Sequence, residues 1–458
     1  MTMDKITNEI LKQGSAERIE MGRALRESAP RQAHADFQLP SKDRDPIAIL
    51  EESNQGRVAD LVPIRYGRML ADPFAFLRGS AALMAYDLAS TPVSGIQVQA
   101  CGDCHLANFG LFATPERNLV FDLNDFDETL PGPWEWDLKR LAASFVVAGR
   151  ARGFSDGSNE MAVLALAFSY RKHLREYASM RVLDVWYSRL DDQTLIAAAP
   201  NVEAREYRKR ITAKARASVA EYLFPKITAL KDGHSRIVDK PPLVFHLPEQ
   251  SDIGERLRKI LAAYLDSLPA HLRKLFEYYR FEDFAFKVVG VGSVGTRCHV
   301  LLFLADSNDP LLLQAKEARP SVLEPYTGKS QFDHHGQRVV VGQRLMQSAS
   351  DMFLGWMTGG DGTHYYMRQL RDMKFSIPLD TIESKQLIRY ASICGWVLAR
   401  AHAKGGDAAM ISGYLGKSDV FDKALVKFAL AYAEQTSRDY DLLVKSVKSG
   451  RVQAVIGQ

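Results

Sequence analysis

The stretch Val98–Leu141, VQACGDCHLANFGLFATPERNLVFDLNDFDETLPGPWEWDLKRL, leaves little freedom in how the chain around it can fold. A short apolar run ends in Gly102-Asp103, with His105 and Asn108 close behind. Asn108–Phe112 reads as a second short strand, and Ala113–Asn118 reads as a turn from its composition. Leu119–Leu123 reads as a third strand, delivering Asp122, Asp125 and Asp127 to its end. Pro131-Gly132-Pro133 then interrupts the chain before a helix that opens near Trp136-Asp137. A hairpin between the two halves returns Asp125 toward Asp103 and Asn108. A carboxylate that can take a proton, with an Asn and an Asp that can hold a hard cation, is the catalytic half of a phosphoryl-transfer site. Asp, Asn and Gly are also what turns are made of. No one of these residues makes the case; the ordered set does.

Two resemblances follow from these residues. The phrases CGDCHLANFG, DLNDFDETLPGPWEWDLKRLA and DPFAFLRG resemble the bacterial family catalogued as domain of unknown function 2252, from about Pro63 to near the C-terminus. More distantly, Gly-Asp-x-His-x-x-Asn, then Asp-Phe-Asp, then Asp-Leu is similar to small-molecule kinases of the aminoglycoside phosphotransferase type. That resemblance implies an ATP and Mg²⁺-dependent enzyme, with Asp103 as catalytic base and His105 beside it. It implies Asn108 and Asp125 as Mg²⁺ ligands and Asp137 as a structural residue capping a helix. Three acids crowd the metal position, so Asp122 or Asp127 can stand in for Asp125.

Between Phe284 and Ala318 the texture changes to a β-meander: strand, glycine turn, strand, a turn at Asp306–Asp309, strand. Gly290-Val-Gly292-Ser-Val-Gly295 matches G-x-G-x-x-G. In a dinucleotide-binding fold such glycines open a helix. Here Thr296–Leu304 is β-branched and apolar, so they join two strands, as in the phosphate-covering loop of kinases. Lys316 lies in the third strand, where a kinase keeps its phosphate-binding lysine; an ordinary exposed strand lysine is the alternative. Gln337–Trp356 reads as one helix packing on the meander. It holds no Glu, which leaves Glu324 as the substitute partner for Lys316. Tyr365–Leu370 reads as a strand leading to a hinge for adenine.

In an ordinary kinase this β-rich lobe precedes the catalytic loop; here it follows. The expected fold is therefore α/β (α+β), helix-rich, two-lobed and protein-kinase-like, with circularly permuted order. Permutation is tolerated when the original ends lie close together at the surface. The expected divisions are a partly ordered arm over 1–55, a catalytic-loop lobe over 56–280, the nucleotide-lobe-like meander over 281–375 and packing helices over 376–458. Helices are expected over 57–89 with a break at Asp72-Pro73, and over 135–152, 158–180, 203–222, 254–279, 387–404 and 421–447, with loop over 231–253. His402 and Asp407, in AHAKGGD, superficially offer a second catalytic loop, but no Asn follows at the right spacing and they read as a helix end.

The chain has 458 residues and a net charge of +4, small enough to argue against a nucleic-acid coat. The polar start MTMDKITNEILKQGSAERIE holds no export signal and no run approaches a membrane span, which points to a cytoplasmic protein without membrane partners. Cys101-Gly-Asp-Cys104-His105 is literally the c-type haem pattern C-x-x-C-H. That chemistry belongs to exported chains, and a thiol redox site opens a helix, whereas loop and strand follow here. Arg65, Arg68 and Arg78 either reach an anion or lie on solvated helix faces. The short distance from Asp125 to Asp137 leaves no room for a long activation segment and favours a small-molecule hydroxyl acceptor. The rival readings are a pseudokinase-like nucleotide-binding module, a metal-dependent hydrolase using Asp103, His105, Asp122 and Asp125, and a thiol or haem role for Cys101-Cys104-His105.

Overall fold

The computed structural model describes residues 13–246, 253–306, 309–370 and 373–458. Helix makes up 51% of it and sheet 15%, so the fold is mixed α/β with helices carrying most of the core. The chain opens with α1 (Ser15–Ala24), α2 (Pro46–Ser53), α3 (Val62–Met69), α4 (Pro73–Gly79) and α5 (Ala81–Leu88). Asp45 and Asp72 cap α2 and α4, each with proline in the first turn; proline there sacrifices no helical hydrogen bond. From residue 13 onward the N-terminal arm is pinned: Arg18 pairs with Asp407 at 2.8 Å, and Arg44 bridges Asp87 and Asp439 at 2.6 and 2.7 Å.

Four short strands follow: β1 (Gln97–Ala100), β2 (Phe109–Ala113), β3 (Leu119–Leu123) and β4 (Leu130–Pro133). β1 pairs with β4, and β2 with β3, all antiparallel. Next comes α6 (Trp134–Ala151), buried from Trp134 to Gly149. A helix hidden on every side belongs to the middle of a core. It packs with α7 (Asp156–Ser179) and with two later helices, burying Leu138, Leu141 and Phe145 completely, each for about 1.5–3 kcal/mol. Asp137, Arg140 and Ser144 on it face the loop that follows β1.

The connecting region runs through α8 (Val182–Tyr187), α9 (Asp192–Ala197), α10 (Val202–Arg216) and α11 (Ala220–Ile227), then β5 (Thr228–Lys231), β6 (His234–Ile237), β7 (Val244–Phe245), α12 (Ile253–Asp266) and α13 (Ala270–Phe276). Two single helices expected here are each split. Residues 217–219 separate α10 from α11, and Pro269, which has no N–H to continue a helix, precedes α13. The expected loop over 231–253 instead holds the β5–β6 hairpin and β7, and its residues 247–252 lie outside the described residues.

The meander is β8 (Arg280–Lys287), β9 (Cys298–Leu304) and β10 (Pro310–Glu317), followed by α14 (Glu324–Thr327), α15 (His335–Met346), β11 (Gly355–Thr358) and β12 (His364–Gln369). These strands form one six-stranded antiparallel sheet in the order β11-β12-β10-β9-β8-β7. β10 sits inside it, buried on both faces. Of the turn expected at 306–309, residues 307–308 lie outside the described residues. The helix expected to run to Trp356 ends at Met346. Asp351 accepts the N–H of Phe353 in a turn, and Gly355 and Trp356 enter β11. β13 (Phe375–Ser376) then pairs with β2, coupling the end of the large sheet to the hairpin of the opening stretch. Three helices complete the chain: α16 (Ser384–Gly405), α17 (Ala408–Leu415), capped by Asp407, and α18 (Val420–Lys448). Among the described residues no helix is long and apolar enough to cross a membrane.

Candidate functional site

The loop after β1 is held from below by α6. Asp137 accepts the backbone N–H of Cys101 at 2.6 Å and of Gly102 at 2.9 Å, so it secures the loop rather than capping a helix. Ser144 Oγ accepts the N–H of Leu106, and the hydroxyl of Tyr390 donates to its carbonyl. Gly102 has φ +83°, and a Cβ there would lie 2.3 Å from the carbonyl oxygen of Glu128; the close pass of the two loop segments therefore requires glycine. Asn108 Nδ2 donates to the carbonyl of Asp103 at 2.6 Å, and the N–H of Asn124 donates to the carbonyl of Asn108. The two halves of the stretch are thereby stitched together.

Asp103 pairs with Arg140 of α6 at 2.5 Å while keeping 24% of its side chain open. Burial pushes its carboxyl up to about 7, against the opposing pull of Arg140. His105 Nε2 stands 3.9 Å from Asp103 Oδ2. Burial, then Arg78 and Arg140, press the His105 ring well below its usual range, so it is a neutral imidazole. Asp125 is raised by burial, but Lys316 and Arg368 outweigh this and hold it below the ordinary carboxylate range. Its Oδ1 is buried without a hydrogen-bond partner.

Lys316 on β10 reaches this loop across the fold. Its Nζ lies 2.5 Å from Asp127 Oδ2 and 3.6 Å from Asp125 Oδ1. The carboxylates of Asp125 and Asp127 keep the ammonium charged despite its burial. Tyr366 of β12 donates to the other oxygen of Asp127 at 2.6 Å, and Ser293 of the glycine turn donates to Oδ2 at 3.3 Å. The glycine turn is itself anchored: Arg68 donates to the carbonyl of Gly290, Arg57 to that of Val294, and the N–H of Val58 to that of Gly295. Gly290 and Gly295 have positive φ. Gly290 and Gly292 share a cavity of about 280 Å³ with Asp103, His105, Asn108 and Asp125. Gly290 also borders a larger cleft of about 1010 Å³ that runs between β8, β10, the end of β12 and the β2–β3 hairpin.

Two expected site residues stand elsewhere. Asp122 is 1% exposed, pairs with Arg400 of α16 at 2.7 Å and accepts from the backbone and hydroxyl of Ser348. Alternation along β3 sends it away from the cavity. Asp122→Asn is expected to cost about 1–3 kcal/mol of stability, read by urea denaturation, while leaving ligand binding in the cavity unchanged. Glu324 is not the partner of Lys316; it begins α14 and accepts the N–H of Ser321, and Asp127 and Asp125 hold the lysine instead. On α15 the residue facing the loop is Arg338, which donates to the carbonyls of Asp127, Thr129 and Arg319. Arg140 and Arg338 escaped sequence reasoning. The available signal was a cation directly preceding an apolar run, Leu141–Ala143 after Arg140 and Val339–Val341 after Arg338, on a helix that buries most of its surface. Cys101 and Cys104 are free, buried and hydrogen-bonded to each other; that bond pulls Cys101 down, but burial and nearby carboxylates outweigh it, and burial together with the same bond raises Cys104, the setting of inert rather than redox cysteines.

For a divalent cation the donors present are Asp125 Oδ1, which has no other hydrogen-bond partner, and the amide oxygen of Asn108, whose nitrogen is already committed. Among the described residues no three His, Cys, Asp or Glu side chains gather into a metal-binding group. One carboxylate oxygen and one amide oxygen are donors of the kind a Mg²⁺ ion accepts, with the rest of its shell taken from phosphates and water.

Comparison with curated proteins and with solved structures found no match. The family model described as an uncharacterized protein conserved in bacteria, DUF2252, matches residues 57–446, from the first arginine of the cavity wall to within α18, and the chain belongs to that family.

Proposed function

We propose that this protein transfers a phosphoryl group from a Mg²⁺-bound nucleotide to the hydroxyl of a small molecule. The observation that carries the reading is the meeting of Lys316 with Asp125 and with Asp127, 189 residues away along the chain, beside the cavity that holds Asp103 and Asn108. The order of parts within the meander supports it: a glycine turn between β8 and β9, a lysine on β10, then α15 and two more strands, as protein kinases carry them, with the short β7 added at the edge of the sheet. The permuted order has support as well. At the end of α16, added Cβ atoms on Gly405 and Gly406 would come within 3.0 Å of Gln99 Cβ and 2.5 Å of Val98 Cγ1 on β1. Rejoining those neighbours would restore the usual kinase order.

In this reading the large cleft takes the nucleoside and the small cavity takes the acceptor. Asn108 and Asp125 would hold Mg²⁺, which when bound offsets charge on the nucleotide phosphates. Lys316 and the backbone around Gly290–Gly295 face the phosphates. Asp103 takes the proton of the acceptor hydroxyl as its oxygen bonds to phosphorus and the nucleotide leaves.

The test is thermal unfolding with ATP, with and without Mg²⁺, in wild type, Asp125→Ala and Lys316→Ala. A ligand of the folded state at a hundredfold excess over Kd adds about 2.7 kcal/mol. The expected result is a Mg²⁺-dependent rise in wild type that both variants lose. No rise with any nucleotide would sink the reading. A second reading, nucleotide binding without turnover, rests on Arg338 standing on α15 where kinases place a glutamate and on the tight Lys316–Asp127 pair. A thermal rise without ADP release would select it.

A further inference from the structure

Nearly every cation around the small cavity has a partner. Arg57 donates to the carbonyls of Ser53 and Val294, Arg65 to Asn54 and the carbonyl of Gly79, and Arg319 to the carbonyls of Ser53 and Gln55. Three wall carboxylates have cations of their own: Asp103 has Arg140, Asp127 has Lys316 and Glu317 has Arg297. Arg78, on α4, differs. It lines the cavity with Asp103, His105 and Asn108, yet among the described residues it makes no hydrogen bond and no ion pair. Its Nε is buried without a partner. The guanidinium lies 6.0 Å from the ring centroid of Phe74, which in turn packs edge-on against His105 at 6.2 Å. The face of the guanidinium thus has an aromatic neighbour, while its N–H donors have no hydrogen-bond acceptor among the described residues.

A half-buried guanidinium with open donors is costly unless something fills them. A planar fork matches phosphate and carboxylate oxygens two at a time. The wall also carries Glu52 and Glu128, and Asp103 and Asp125 act on the charge of Arg78; but Asp103 is paired with Arg140, Asp125 faces Lys316 and Arg368, and Glu128 accepts the N–H of Val322, so none of these three carboxylates hydrogen-bonds the Arg78 fork. His105 presents a second buried atom without a partner, Nδ1.

We infer that the small cavity is a binding site for a phosphate-like oxyanion, and that Arg78 is the residue that grips it. Only the source of the oxyanion rests on the transfer reading: it is either the terminal phosphoryl of the nucleotide or an anionic group on the acceptor.

The test titrates inorganic phosphate, without nucleotide, into wild type, Arg78→Ala and Arg78→Lys, following unfolding temperature and calorimetric heat. Because Arg78 bonds to nothing in the protein, both variants are expected to fold, and their unfolding without ligand checks this. Phosphate should raise the melting temperature of wild type. Affinity should fall at least about tenfold in Arg78→Ala and partly recover in Arg78→Lys, which keeps the charge without the fork. No phosphate effect on wild type, or an equal effect in Arg78→Ala, overturns the inference. Parallel titrations with Mg²⁺-ATP and Mg²⁺-ADP locate the source. A deficit in Arg78→Ala for ATP alone assigns the nucleotide's terminal phosphoryl, and equal behaviour with both assigns the acceptor. A phosphate site that persists while no nucleotide binds would defeat the transfer reading and leave this one standing.

Discussion

Asp103→Asn is expected to slow nucleotide-dependent turnover by about 10²–10⁴-fold, the usual contribution of a positioned general base, while Mg²⁺-ATP still raises the melting temperature. Turnover is read as ADP release with water or a pool of hydroxyl compounds as acceptor. The direction with pH follows from the environment of the carboxyl. Burial raises it to about 7, and only the deprotonated form accepts a proton, so the wild-type rate should climb as pH passes through about 7. The variant has no such group and should lose that limb of the profile. The amide preserves shape and can still accept from Arg140, so a collapse of the fold is not expected. Equal rates and equal pH profiles in the two proteins would remove Asp103 from the chemistry.

The largest effect on stability is expected at Arg44, far from the cavity. Its guanidinium bridges Asp87 of α5 and Asp439 of α18, with all three side chains at most 2% exposed, and Tyr432 donates to Asp87 as well. Arg44→Ala leaves two carboxylates buried without their cation, a change that costs about 3–5 kcal/mol in urea unfolding. Burial already pushes the Asp87 carboxyl above its ordinary value with Arg44 present. Without the arginine, protonation relieves more of the penalty, so the loss should be smaller at pH 5 than at pH 8. A loss below 1 kcal/mol, or one independent of pH, would mean that the segment around residue 44 is not held by this bridge.

Much of the secondary structure was legible because it depends on local rules. Apolar periodicity placed α6, α7, α16 and α18, and proline and aspartate marked the break at Asp72-Pro73. The strand–turn–strand character of the glycine segment was legible from β-branched residues after Gly295, which excluded a helix there. Errors fell where a local break competes with helical composition: at residues 217–219, at Pro269, and at Ser348–Asp351, where the turn into β11 prevails.

The amino-acid sequence by itself determined a short set of candidates that the fold brings together: Asp103, His105, Asn108 and Asp125 line one cavity, and Lys316 stands beside Asp125. Only the tertiary structure decided their partners. A motif records the order of residues, whereas a buried charge must be balanced by whatever the packing brings beside it. Hence Asp122 went to Arg400 and Lys316 to Asp127 rather than Glu324, while Arg140 and Arg338 entered the site from the middle of helices. Arg78 was left with its donors open toward the cavity, a fact of three-dimensional placement that no spacing along the chain records.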